Sequence, residues 1–432
     1  MIEMIAKMKP TDFRQNWKPF LYKLIGWTGE SDIETRKALA RFDYLNQLLL
    51  VSLCGGQKQE YDKPITRKVW IANWIVRISV IYTMIRASLF IYYQGNYKLD
   101  LYLANTIPED VQPMKTAFYV LFDIIFFILF ALREYIHYIE RAGYLIFLRF
   151  FLNIRIHGVS HAPFMMNKRC SQKLNKVCHL FMINGIRIMI IMWTYLVSLT
   201  LTLRLYFPST YATKLHIFFI ILHVPIETVA IMTLFSALAN IGIYCWTLAY
   251  LVSLGMESAI DHIKYCLNKP SLSQVELKQI NERVILVFNY VDQLNRQINY
   301  LLLFLFGLIA VASDLSLLFS LIFNLFPDFI SKMCTIGAIT IHFFLVIGNY
   351  WASRYYVKVL SVHGYYTKLI LNTRTICSAR FKALEIQERI NWNKTGIAIG
   401  DFGFIVPQFA LIFILENINF IMLLTCNINS LV

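Results

Sequence analysis

Apolar residues recur in seven long stretches separated by polar ones: 71–93, 116–133, 184–206, 216–254, 299–326, 336–353 and 399–425. Each has about 18 residues or more, enough as a helix to cross ~30 Å of hydrocarbon. The pattern predicts an all-α polytopic membrane protein with a single domain. A tail covers 1–70, spans one to four 71–254, helical anchor segments 255–298, and spans five to seven 299–425. The fourth stretch is the most informative. Between Lys214 and Glu257 lie 42 residues with one charge, Glu227. As a single helix they measure ~63 Å, about twice a bilayer. We expect one helix that continues beyond the membrane. Its lower part, IGIYCWTLAYLVSLGMESAI, is too apolar to face water and needs a partner.

The run INERVILVFNYVDQLNRQINYLLL offers that partner, with Val284, Phe288, Val291 and Ile298 near heptad spacing and charges between them. Two arrangements fit, a helical hairpin within the chain or an interface between subunits. The interface is the expectation, because apolar helices projecting from a small bundle have little of their own chain to cover them. Upstream, Phe13, Trp17, Phe20, Leu21, Leu24 and Ile25 share a face flanked by Arg14, Lys18 and Lys23. That suits a helix lying at the membrane surface or packed on the base. YLIFLRFFLNIRI extends the second span inward, while SVHGYY (361–366) and NKPSLSQ (268–274) read as loops.

Charge sets the orientation. The chain is 57% apolar and only 16% charged, with a formal charge of +15; soluble domains carry about 25% charged residues. Lys and Arg number 32 in 1–70, 134–183, 255–298 and 354–398, but 4 in the alternate connections 94–115, 207–215, 327–335 and 426–432. Basic connections stay cytoplasmic, so the amino terminus is expected inside and the carboxyl terminus outside. Splitting 216–254 into two spans would put the eight basic residues of 354–398 outside. The start has no apolar signal core, so no cleavage is expected. Eight cysteines without a Cys-x-x-Cys pair indicate neither a zinc site nor a disulfide framework. No nucleic-acid motif appears, so the basic surplus points to orientation and anionic lipid. No enzyme, cofactor or metal is indicated. His157 and His161 have a spacing that a metal can use, but a solvated loop accounts for them and a di-iron site needs several such boxes.

Three segments carry a resemblance. NFIMLLTCN (419–427) lies in the last span, IAIGDFGFIV (397–406) precedes it, and NYVDQLNRQINYLLLFLFG (289–307) leads into the fifth. With the long fourth helix and an inside amino terminus, the chain resembles the insect chemoreceptors, most closely the gustatory receptors. That family ends with Thr-Tyr, five apolar residues, then Gln-Phe. Here Asn419, Phe420, Cys426 and Asn427 stand at those positions, and only Phe420 is a conservative match. The resemblance implies a multi-pass plasma-membrane channel of sensory neurons that is opened by small-molecule tastants and passes cations. It also implies a homotetramer, or a heterotetramer with related receptors. Four last spans would line the pore, and each subunit would hold a ligand pocket in its outer half.

Within that frame, Leu424 and Phe420 would form an apolar constriction, and Glu416, Asn417 and Asn419 would present polar atoms to cations; Cys426 and Asn427 occupy the signature's end. Glu416 has an equally good structural reading as a hydrogen-bonding partner of a neighbouring span. A Cys334–Cys426 disulfide is compatible with both lying near the outer rim. For the pocket, spans three to six offer Trp193, Tyr195, Arg204, His223, Glu227, Asp314 and His342. The aromatics fit a core better than a ligand contact, Arg204 can snorkel to headgroups, and Glu227 and Asp314 can pair with Arg86 or another helix. Arg77, Arg133 and Arg187 are expected at lipid phosphates, and Asp123 has no evident partner. The sequon at Asn393 falls on the cytoplasmic side. An odorant-receptor-like channel is the nearest alternative. A secondary transporter is the rival of a different class, but no internal repeat appears and only Pro225 and Pro407 lie well inside spans. A rhodopsin-like receptor has the opposite orientation.

Overall fold

The computed structural model describes residues 31–52, 66–93, 96–105, 112–141, 146–159, 166–206, 213–269, 272–322, 328–372, 378–391, 395–401 and 403–429. Helix α1 (Asp32–Leu48) starts where Ser31 accepts a hydrogen bond from the Glu34 amide at 3.2 Å. Then come α2 (Arg67–Tyr92), the short α3 (Tyr97–Tyr102), α4 (Gln112–Arg141), α5 (Ile146–His157) and α6 (Lys168–Tyr206). Helix α7 (Lys214–Leu267) is one unit of 54 residues, so the single long helix expected from the fourth stretch is what forms. Helix α8 (Gln274–Leu303) opens on a reciprocal capping box between Ser273 and Glu276. It runs through a π turn (Phe304–Leu308) into α9 (Ile309–Leu317) and a second π turn (Leu318–Ile322). Helices α10 (Asp328–Asn372), α11 (Ser378–Asn391) and α12 (Pro407–Asn429) complete the chain.

Six of these segments are long and apolar enough to cross a membrane: α2, α4, α6, α7, the α8–α9 rod and α10. Helix α12 carries a shorter apolar stretch, Pro407–Leu423, and stands outside that group. It begins at Pro407 rather than at 399, because proline in the first helical turn loses no intrahelical hydrogen bond. Residues 396–401 and 403–405 instead pair as a hairpin bridged between Ala398 and Phe404. Gly400 and Gly403 take φ of +49° and +121° there, a region that costs glycine little. The hairpin is clipped to α8: Asn295 Nδ2 donates to the Gly396 carbonyl at 2.7 Å, and its Oδ1 accepts from the Ala398 amide at 3.0 Å. Two of the three segments that carry the resemblance therefore pack on each other.

Helix α7 is the axis, packed on α10, α6, α2, α8 and α4. Its lower half is almost continuously buried against α8, α10 and the helices around them, which form a base. This corrects the expected subunit interface. Val284, Phe288, Val291 and Ile298 are each at most 2% exposed within one chain. The reason lies in α10, which passes straight through SVHGYY, the segment expected to be a loop, and buries Val362 and Tyr366. The chain thus has the cover that hydropathy did not find. Tyr366 Oη donates to Asn281 Oδ1 at 3.1 Å, and Asn281 Nδ2 donates to the Ala379 carbonyl of α11 at 2.7 Å. Arg389 of α11 pairs with Asp292 at 2.6 Å and lies over Phe288. Burying each of the four apolar side chains contributes roughly 1.5–3 kcal/mol. The intrachain hairpin is the arrangement that forms.

Helix α1 joins the same base. Tyr244 Oη donates to Asp43 Oδ1 at 2.6 Å, and Arg155 of α5 reaches Oδ2 at 3.3 Å. Burial pushes the Asp43 carboxyl up to about 6, against the opposing pull of Tyr244 and Arg155. The expected surface helix over 13–25, His161 and Asn393 lie outside the described residues, as do the side chains of Arg204, Leu424 and Asn427.

Candidate functional site

Away from the base, where α4, α6, α7, α9 and α10 meet, the bundle encloses a cavity of about 170 Å³. Phe118, Phe122 and Phe126, one turn apart on α4, make one wall; Tyr195, Phe235 and Ile341 help make the others. Three of its hydroxyls are satisfied by backbone. Thr200 Oγ1 donates to the Val197 carbonyl at 2.9 Å, Ser313 Oγ to that of Ala338 at 3.0 Å, and Tyr195 Oη to that of Met333. What remains is an aromatic and aliphatic chamber.

A smaller cavity of about 50 Å³ shares the walls Phe118, Phe122, Thr200 and Ile231 and carries Arg86 and Glu227. These two form a buried ion pair between α2 and α7. Removing such charges from water is costly unless the remaining donors are satisfied, and Arg86 also donates to the carbonyls of Leu103 and Ala104. Both carbonyls belong to the turn that ends α3, where Ala104 holds φ +53°. Helix α3 is thus strapped across the end of the bundle. Further ties are His223 Nε2 with the Tyr102 carbonyl at 3.1 Å, Tyr119 Oη donating to Asn105 Oδ1 at 2.9 Å, and Lys115 with Asp100 at 3.2 Å. The pairing anticipated for Glu227 with Arg86 is what forms, and His223 serves the strap together with Tyr82, whose Oη lies 2.9 Å from Nδ1.

A polar path leads from the chamber toward the last helix. Ser313, in the chamber wall, lies 2.9 Å from His342 Nδ1. On the other side of that ring, Nε2 is 2.9 Å from Asp314 Oδ1, a close contact outside hydrogen-bond geometry. Asn417 of α12, whose Nδ2 donates to the Phe413 carbonyl, stands beside the same imidazole, and the Phe413 ring packs against it. Asp314 and His342 are therefore brought together, but between the chamber and α12 rather than in the chamber lining.

Helix α12 rests on α10 and α9 along one seam that includes Phe413 and Asn417. Ile412, Glu416, Asn419 and Leu423 fall on another stripe at i, i+4, i+7 and i+11 spacing, and all four are exposed in the single chain. Leu423, not the expected Leu424, shares the face of Glu416. Phe420 is half-buried and Cys426 exposed.

Other expectations change. Trp193 donates from Nε1 to Ser236 Oγ at 2.9 Å and belongs to the core. The thiols of Cys334 and Cys426 are both free, so the disulfide does not form; Cys334 instead lines the chamber. Arg133 is fully buried, donating to Asn73 Oδ1 at 2.6 Å and pairing with Glu134, so it does not reach lipid. Arg77 also pairs with Glu134. Asp123 accepts from Ser88 Oγ at 2.7 Å. The phenylalanine row of α4 belongs to span two, outside the spans three to six that offer the expected pocket residues. Its i, i+4, i+8 spacing is visible in LFDIIFFILF and the residues before it. No protein-family model matches the chain, and no curated protein matches it.

Proposed function

We propose that this chain is a gustatory-receptor-like, ligand-gated, non-selective cation channel of the plasma membrane that assembles as a tetramer around its last helix. The observation that carries the proposal is that Glu416 and Asn419 lie on the exposed stripe Ile412–Glu416–Asn419–Leu423 of a mostly apolar helix. A carboxylate facing hydrocarbon costs several kcal/mol, so such residues face water or protein. Four stripes around an axis give Glu416 a water-filled path, Asn419 a polar ring, and Leu423 an apolar ring that closes by dewetting. The aromatic chamber supports a ligand site, since small-molecule sites combine apolar walls with few polar groups. A cavity of about 150 Å³ with such walls stays dry and binds benzene, so the chamber suits uncharged, ring-sized compounds better than sugars. The Ser313–His342–Asn417 path supports coupling of that site to the last helix.

The test is expression in oocytes with application of a panel of small aromatic and terpenoid compounds. Ligand-evoked, non-selective cation current is the expected result. Glu416→Gln is expected to reduce the preference for cations over anions, and Leu423→Ser to give current without ligand. Saturable electroneutral uptake with no conductance would rule for a carrier instead.

A further inference from the structure

Below the chamber lies a second cavity of about 120 Å³, set between α6, α7, α8 and α10 and closed at its lower end by Ile397 and Ile405 of the hairpin. A partition of three side chains, Leu238, Ile309 and Ile341, separates it from the upper chamber, because both cavities are lined by them. Two glycines shape it. A Cβ built on Gly242 would meet nothing within 4 Å, so this wall is open for want of a side chain. A Cβ on Gly348 would lie 2.4 Å from the Trp246 indole nitrogen, so only glycine lets that ring lie against α10. Trp246 is stacked on Phe344 at 5.4 Å. Its N–H has no hydrogen-bond acceptor among the described residues, and apart from that N–H and the Cys245 thiol the cavity wall is apolar.

We infer that this lower cavity is a second binding site, distinct from the upper chamber, for a small uncharged hydrocarbon-like compound with one acceptor oxygen. The apolar walls exclude charged and polyhydroxylated ligands, whose groups would lose hydration without replacement. The unpaired indole N–H supplies one donor, which matches one ketone, ether or ester oxygen. Such a compound dissolves in the bilayer, and Ile191 and Phe343, at 65% and 62% exposure, flank the site on the outer surfaces of α6 and α10. Because Ile397 and Ile405 form its floor, an occupant bears on the hairpin that seats α12. Occupancy is thereby a modulator of the last helix, while the inference itself concerns binding and stands apart from channel activity.

The experiment is photolabelling of the purified full chain in lipid nanodiscs with a small alkyl diazirine that carries one ketone, followed by peptide mass spectrometry. Saturable labelling of Cys245 or Trp246, displaced by excess cyclohexanone, is the expected result. Gly242→Phe fills the open wall and is expected to lower that labelling by about tenfold or more, equivalent to ~1.4 kcal/mol of binding. Labelling of Tyr195 or Cys334 in the upper chamber serves as the folding control and is expected to persist. If that control is lost, Ala239→Phe, which fills the same cavity from the preceding turn, takes its place. Non-saturable labelling at Cys245 and Trp246, or labelling undiminished in a correctly folded filled variant, would overturn the inference.

Discussion

Arg86 and Glu227 show how one buried contact can organise a whole end of the molecule. The guanidinium bridges α2, α7 and the turn that follows α3, so it ties α7 to two elements far upstream in sequence. Breaking a buried pair by removing one partner leaves the other charge uncompensated and costs about 3–5 kcal/mol, whereas replacing both by apolar groups is often near neutral. Arg86→Ala and Glu227→Leu are each expected to lower the thermal stability of the purified protein by that order. The double variant Arg86→Met/Glu227→Leu is expected to recover most of the loss. Arg86 also satisfies two carbonyls, so the recovery will be incomplete by about 1–3 kcal/mol. A double variant whose loss equals the sum of the singles would show that the charges do not depend on each other. Both charges were visible in the sequence as isolated ionised residues in apolar spans. Their pairing was one of several open choices, since linear spacing does not tell which helices adjoin. The α3 strap was not legible at all, because six residues, YKLDLY, carry too short a pattern to predict a helix.

At the scale of elements, the hairpin bridged between Ala398 and Phe404 and its clip to α8 decide where the last helix begins. Hydropathy alone places that helix from 399, since IAIGDFGFIV is apolar enough to belong to it. Backbone chemistry overrules the pattern: two positive-φ glycines turn the chain, and Asn295 satisfies the carbonyl and amide that the turn exposes. Asn295→Ala removes both hydrogen bonds and is expected to destabilise the hairpin locally by about 1–3 kcal/mol per unsatisfied group. The check is hydrogen exchange. The amides of Ala398 and Ile399 should exchange faster in the variant while those of α8 stay protected; unchanged protection at Ala398 would show that the clip is not what holds the hairpin. The same level explains the error over Val284, Phe288, Val291 and Ile298. Their apolar face was legible from heptad spacing, but its partner was hidden because a glycine and polar residues at 361–366 disguise the middle of a 45-residue helix. Tertiary cover from Val362 and Tyr366 outweighs the helix cost of Gly364, about 1 kcal/mol. Periodicity finds a buried face more readily than it finds what buries it.

For the whole molecule, sidedness connects the base, the chamber and the last helix to a function, and it rests on charge rather than on packing. The helical base gathers residues from the same connections that hold 32 Lys and Arg, whereas the connections at the chamber end hold 4. Anionic lipid and the membrane potential favour the basic side facing the cytoplasm. The base would then lie inside and the chamber near the outer face, where a compound applied from outside reaches it. An epitope tag after Val432 is therefore expected to be stained by antibody on intact cells, and one ahead of Met1 only after permeabilisation. The fold would survive the opposite outcome, because helix contacts are indifferent to which leaflet they face. The proposed channel would not, since its ligand chamber would open toward the cytoplasm and its anchoring base would stand outside the cell. The tag experiment thus separates the reading of function from the reading of architecture.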